Sequence, residues 1–201
     1  AIRLGGSGGV LGTVNYFATA SSPRSISSGD FDGDGDQDLI LGTDTGVNVA
    51  SVLLGNGDGT FQPHVDFATA GSPYQIAVAD LDGDGNLDAT VVARSGGLSF
   101  LLGNGDGTFQ PRIDLPTGLS PGWVAVDDLN HDTLPDLAVA NASNDLSVSI
   151  YLNAAPAIGS LEGHVIADCA AGSGSVYGVE VDVYRVGDGQ LVATATADAS
   201  G

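Results

Sequence analysis

The stretch DLDGDGNLDATVVARSGGLSFLLGNGDGTFQPRIDL, residues 80–115, decides how this chain is read. Just before it, Tyr74 to Ala79 alternates polar and apolar side chains, as a half-buried strand does. The aspartate loop 80–88 follows, and then Ala89-Thr-Val-Val92, a short β-rich apolar run. Ser95-Gly-Gly97 supplies a turn, Leu98–Leu102 a third strand, and Asn104-Gly-Asp-Gly107 a second turn with glycines where a positive φ is wanted. Thr108–Leu115 then reads as a fourth strand. The pattern predicts four short strands joined by hairpins.

Working outward, the same text recurs. LGNGDGTFQPHVDFATAGSP at 54–73 returns as LGNGDGTFQPRIDLPTGLSP at 102–121, and more weakly as LGGSGGVLGTVNYFATASSP at 4–23. A second signature keeps step: DFDGDGDQDLILG at 30–42, DLDGDGNLDATVV at 80–92 and DLNHDTLPDLAVA at 128–140. Both recur at offsets of 50 and then 48 residues. Such a period signals a repeat architecture whose units cannot bury their own apolar face alone. Four-stranded units of this length are the blades of a β-propeller. A β-helix coil would be much shorter, and the leucine spacing of a leucine-rich horseshoe is missing.

Composition points the same way. Twenty-five acids face five bases, for a net charge of −20, and all five bases are arginine. Contact with nucleic acid or an anionic membrane surface is unfavourable for such a chain, and divalent cations are its natural partners. Only Glu162 and Glu180 are glutamate; the other acids are aspartate, which favours turns over helices. No apolar run approaches the ~18 residues of a spanning helix, so membrane insertion is not expected. The single Cys169 leaves no internal disulfide. An opening at Ala1, without Met or a basic-then-apolar leader, is expected of a mature product or an excised fragment.

In the first loop Asp30, Asp32, Asp34 and Asp38 hold positions 1, 3, 5 and 9, with Gly35 at position 6. Asp80, Asp82, Asp84, Gly85 and Asp88 repeat this arrangement. Alternate aspartates in a tight loop converge their carboxylates, and calcium takes six to eight oxygen ligands. The glycine lets the backbone turn so that the carbonyl of Asp36 or Asn86, at position 7, also faces the ion. Without a cation the clustered like charges would not all stay ionised cheaply. Position 12 is Leu41, Val91 or Val139, which excludes the helix-flanked calcium hand and its bidentate glutamate. The third loop keeps Asp128, Asn130, Asp132 and Asp136, but Thr133 replaces the glycine, His131 sits at position 4 and Pro135 stiffens the exit. Threonine is strained where φ must be positive. Two calcium sites are therefore expected, with a third weaker or empty.

Together these motifs resemble the FG-GAP/VCBS repeats, the blades of integrin α-like propellers. The resemblance covers about residues 4–155. It implies an all-β fold with calcium at the loops between the first and second strands, and an extracellular protein whose propeller recognises a protein or glycan. The ligand roles carry over to positions 1, 3, 5, 7 and 9 of the loops. The expected propeller region is 1–155, with blade repeats at about 24–73, 74–121 and 122–155 and the tail of a preceding repeat at 1–23. Three repeats cannot close a seven-bladed ring, so further blades must come from missing sequence or from other chains. A linker is expected at 156–160. Residues 161–201 are similar to the start of a Cna-B-like or prealbumin-like β-sandwich, which would form a truncated second module.

Aspartates that recur in polar turns of every blade do not resemble a glycosidase acid/base pair, which comes once per domain with one carboxyl desolvated. No enzymatic activity is expected. His64, His131 and His164 lack paired ligand spacing, and Cys169 has no basic partner nearby in sequence. Trp123 is read as occupying the place of Tyr74 and Arg24, either as core filler or as an exposed contact platform. Asn141 opens an N-glycosylation sequon. The leading expectation is a secreted or cell-surface calcium-binding propeller for adhesion or recognition. The alternatives are an accessory propeller of a polysaccharide-degrading enzyme and a lectin propeller.

Overall fold

Glycine, proline and aspartate interrupt this chain every few residues, so its strands are short and its connections are hairpins. The computed structural model describes residues 2–5, 11–43, 46–95, 97–118, 120–142, 148–153, 161–166, 180–184 and 191–196. Every regular element among them is a strand. β1 (Ile2–Gly5) and β2 (Leu11–Asn15) pair as a two-stranded ribbon. Three four-stranded antiparallel blades follow. The first is β3 (Pro23–Gly29), β4 (Asp38–Thr43), β5 (Val49–Leu53) and β6 (Val65–Ala68). The second is β7 (Pro73–Ala79), β8 (Asp88–Ala93), β9 (Gly97–Leu101) and β10 (Ile113–Leu115). The third is β11 (Pro121–Asp127), β12 (Asp136–Asn141), β13 (Val148–Asn153) and β14 (Leu161–Ile166). In each blade, strands adjacent in sequence are adjacent in the sheet. The fold is all-β, a run of propeller blades, and among the described residues no sheet closes into a barrel.

Three details differ from the sequence reading. Leu161–Ile166, expected to open the second module, instead pairs with β13 from Val148↔Ile166 to Asn153↔Leu161. The third repeat has only three strands by Asn153, and this segment supplies the outer one. Of the remaining second module, β15 (Glu180–Tyr184) and β16 (Leu191–Thr196) form an antiparallel pair. The linker 156–160 and Cys169 lie outside the described residues. Second, the outer strand of the middle blade is β10 alone, shorter than 108–115, because Pro111 has no N–H for a ladder. Third, each innermost strand carries a bulge just after its opening proline, between Pro23 and Ser25, Pro73 and Gln75, and Pro121 and Trp123. The residue set out of register is Arg24, Tyr74 or Gly122. Trp123 is thus equivalent to Gln75 and Ser25, one place beyond the position assigned from sequence.

The cores lie between blades. Phe31, Ile40 and Val52 of the first blade pack with Ile76, Val91, Leu101 and Phe109 of the second. Val92, Leu98, Phe100 and Leu115 of the second pack with Val124, Leu137, Val139 and Tyr151 of the third. β8 serves both cores and is buried along its whole length, which explains its unbroken apolar run. Ile76 is 2% exposed and Val124 5%, while Ile26 at the same place on β3 is 57% exposed. No neighbouring blade covers it among the described residues.

Phe109, from the GNGDGTF hairpin, locks the blades together. Its ring meets Phe67 at 5.0 Å and Phe31 at 5.8 Å, both edge-on and both from the preceding blade. The amide of Gly107 donates to the Phe31 carbonyl at 2.9 Å. Phe17 meets Phe61 at 5.2 Å in the same way one repeat earlier. Phe109→Ala opens a cavity in this joint and is expected to lower unfolding free energy by about 3 kcal/mol, measured by denaturant titration.

Candidate metal centre

Each aspartate loop joins the first and second strands of its blade, and its shape follows from carboxylates capping backbone amides. In the first loop Asp30 accepts from Gly33 N at 2.8 Å and Gly35 N at 3.0 Å. Asp32 accepts from Asp34 N at 3.2 Å, and Asp34 from Asp36 N at 2.8 Å. The second loop repeats these bonds with Asp80, Asp82 and Asp84 accepting from Gly83, Gly85, Asp84 and Asn86. Gly35 and Gly85 sit at φ +90° and +92°, a backbone that glycine adopts without the strain a Cβ brings.

Position 9 does something further. Asp38 is wholly buried and accepts from Phe31 N and Gly55 N, both at 2.7 Å. Asp88 accepts from Leu81 N and Gly103 N, also at 2.7 Å. Asp136 accepts from Leu129 N at 2.8 Å and Asn153 N at 2.7 Å. Each carboxylate therefore staples its own loop to the strand end or hairpin that follows the third strand. The approach is close: a Cβ on Gly55 would lie 2.4 Å from the Gln37 carbonyl oxygen, and one on Gly103 2.3 Å from that of Leu87. The Gly55 and Gly103 amides are functional groups that the sequence reading missed. Their signal was the recurring Leu-Gly-Asn-Gly string itself.

Two groups of carboxylates converge. Oxygens of Asp30, Asp32 and Asp38 lie within 4.8 Å of one another, and so do those of Asp80, Asp82 and Asp88. Asp34 and Asp84, expected as ligands at position 5, fall outside these groups. Their oxygens cap the next amide, and Asp84 Oδ2 also accepts from Asn86 Nδ2 at 2.9 Å. Asp36 and Asn86 follow at position 7, and their side chains face Gly57 and Gly105 of the adjoining hairpins. Three hard oxygen donors held this tightly, each with lone pairs to spare beyond its amide bonds, fit a divalent cation such as calcium.

The third loop keeps the shape without the converging group of three acids. His131 and Thr133 adopt φ of 65° and 78°, taking the places of Gly33 and Gly35. Asp128 accepts from Asp132 N and Thr133 N, Asn130 from Asp132 N, and Asp132 from Leu134 N. With Asn130 at position 3, Asp128, Asp132 and Asp136 form no such group among the described residues.

Electrostatics separate the loops in the same way. Burial pushes the Asp38 carboxyl up, and the nearby charges of Asp32 and Asp34 add to that. Asp82 is raised by partial burial and by Asp84 and Asp80. Asp88 is raised to about 6, chiefly by burial, against the opposing amides of Gly103 and Leu81. In the third loop burial also pushes Asp128 up, but the Thr133, Asp132 and His131 amides together outweigh it and hold the carboxyl low. In the first two loops burial, aided by neighbouring carboxylates, thus disfavours the charged form of Asp38, Asp82 and Asp88.

The other candidates from sequence resolve as follows. His64 Nδ1 lies 2.9 Å from Asp66 Oδ1, where the next blade has Arg112 on Asp114, so His64 joins a surface pair. Asn141 is 5% exposed and its Nδ2 donates to Ser149 Oγ at 3.0 Å, which leaves the sequon nitrogen closed to glycosylation. Trp123 is 60% exposed and is not core filler.

The FG-GAP-like repeat family model matches residues 30–91 and 90–139. The chain belongs to the FG-GAP-like repeat family. No curated protein matches it in sequence.

Three predictions separate charge from staple. In EDTA, Asp88 favours the protonated fold, so its contribution is full below about pH 4 and is lost as pH rises through about 6. That loss is worth on the order of 3 kcal/mol. Thermal melts of the metal-free protein should therefore fall over this window, and the slope should flatten in Asp88→Asn. Asp136→Ala should cost about 2–4 kcal/mol with or without calcium, because it strands one buried and one half-buried amide. Asp82→Asn, at an exposed position, should leave the EDTA melt nearly unchanged.

Proposed function

We propose that this chain is a non-catalytic, calcium-stabilised propeller segment of a secreted or cell-surface protein that recognises an extracellular protein or glycan. The observation that carries the reading is the pair of three-carboxylate groups with oxygens within 4.8 Å, repeated in register in successive blades. Asp30, Asp32 and Asp38 would hold one ion and Asp80, Asp82 and Asp88 the other. Bound there, calcium supplies charge neutralisation and ties the loop together. The chain's own residues do the rest: position 1 shapes the loop, position 3 presents a free oxygen, and position 9 transmits the constraint to the next hairpin. Two ions would also offset four of the twenty net negative charges.

Family membership supports an extracellular location, and no helix among the described residues is long and apolar enough to cross a membrane. The absence of catalysis is inferred from the role of the aspartates, which cap amides in every blade. Further blades, from adjoining sequence or other chains, would cover Ile26 as the first blade covers Ile76. The β15–β16 hairpin is read as the start of a stalk-type sandwich module.

Binding to the native state alone stabilises by about 2.7 kcal/mol per site at a hundredfold excess over Kd. Calorimetric titration should give two calcium ions per chain, with one lost in Asp82→Asn. EDTA should lower the melting temperature by several degrees. A melt indifferent to EDTA would remove the calcium reading.

A further inference from the structure

The end of the blades opposite the aspartate loops carries a different chemistry. Arg24 and Tyr74 are the bulged residues of β3 and β7, and Arg94 follows β8 directly. The Arg24 guanidinium lies 3.9 Å from the Tyr74 ring centroid and that of Arg94 4.7 Å from it. The Tyr74 ring meets Trp123 at 5.5 Å with an interplanar angle of 70°. Two of only five arginines in a chain of net charge −20 thus share one aromatic ring. Trp123 stays 60% exposed beside the buried Val124. Arg94 also lines a cleft of about 380 Å³ with Ser95, Pro116, Thr117, Ser120 and Pro121, and none of its lining residues is acidic. Ser120 holds φ 53°, a strained backbone of the kind that collects at ligand sites.

We propose that Arg94 and Trp123 bind a sugar ring bearing a carboxylate, a uronate residue of an extracellular glycan. This names the ligand for the recognition role proposed above and rests on it. A guanidinium stacked on a ring keeps its in-plane N–H donors at the edge, where they fork a carboxylate. The exposed indole offers a flat apolar face to a pyranose, and Ser95, Thr117 and Ser120 offer hydroxyl partners in a cleft of ligand size. Two guanidiniums on one ring argue against a cationic ligand, and a bare phosphate has no use for an exposed indole. The aspartate loops do not repel the anion. From Trp123 to Asp128 the strand covers roughly 17 Å, about two Debye lengths at physiological salt.

Trp123 is the only tryptophan, so its fluorescence reports the site directly. The test titrates the chain, in calcium, with trisaccharides of galacturonate, glucuronate and mannuronate, with their neutral methyl esters, and with tetraglutamate. At least one uronate should give a saturable change, with its ester at least tenfold weaker. Arg94→Ala should bind at least tenfold more weakly with an unchanged melt, and Arg112→Ala, in the surface pair with Asp114, should bind as the parent does. The proposal is overturned if no uronate binds at millimolar concentration, if esters bind equally, if Arg94→Ala keeps full affinity, or if tetraglutamate binds better. A protein and glycan array separates the two readings. Hits indifferent to Arg94→Ala sink this site and leave recognition standing, whereas an array without hits sinks both.

Discussion

In every blade a fully buried carboxylate, Asp38, Asp88 or Asp136, accepts two backbone amides that are far apart in sequence. One amide belongs to the aspartate loop and the other to the end of the third strand. A charged acceptor with two N–H donors makes strong bonds, and an amide left without it in the interior is costly. The loop and the end of the third strand are therefore tied together. In the first two blades the same carboxylate also lies within a group of three acids, so a site for charge is built onto a staple that the fold already requires. The third blade keeps this staple without the converging group of acids, which separates the two roles within one molecule.

Packing distributes the remaining stability between neighbours. Neither core belongs to a single blade, and the Phe109 joint inserts one hairpin between two phenylalanines of the blade before it. Stability in such an array is a sum of unit and interface contributions, so a terminal face left open is the weakest part. The exposed Ile26 marks such a face. Its counterparts, Ile76 and Val124, are buried only because a preceding blade lies over them.

The two ends of the blades are chemically distinct. At one end the strands run into clustered carboxylates, of which Asp38, Asp82 and Asp88 have raised proton affinity. At the other, bulges set Arg24 and Tyr74 out of the ladder beside Arg94 and Trp123. Innermost strands of seven residues hold these ends apart by more than the range of unscreened charge. An acidic chain can therefore keep a local basic and aromatic surface.

The amino-acid sequence alone determined the repeat period, the four-stranded unit, the loop glycines and the acids at positions 1, 3 and 9, because all of these are local patterns. A turn needs its glycine and alternation marks a strand wherever either occurs. The tertiary structure decided what depends on partners distant in the chain. It left Asp34 and Asp84 outside the converging groups, whose three oxygens lie within 4.8 Å of one another. It buried the Asn141 sequon against Ser149 and gave Leu161–Ile166 to the third blade, whose sheet lacked an outer strand. It also moved Trp123 one place from its expected equivalents, since a bulge changes register without altering composition. Register and inter-blade contact arise from hydrogen bonds between strands, and no stretch read by itself contains both partners.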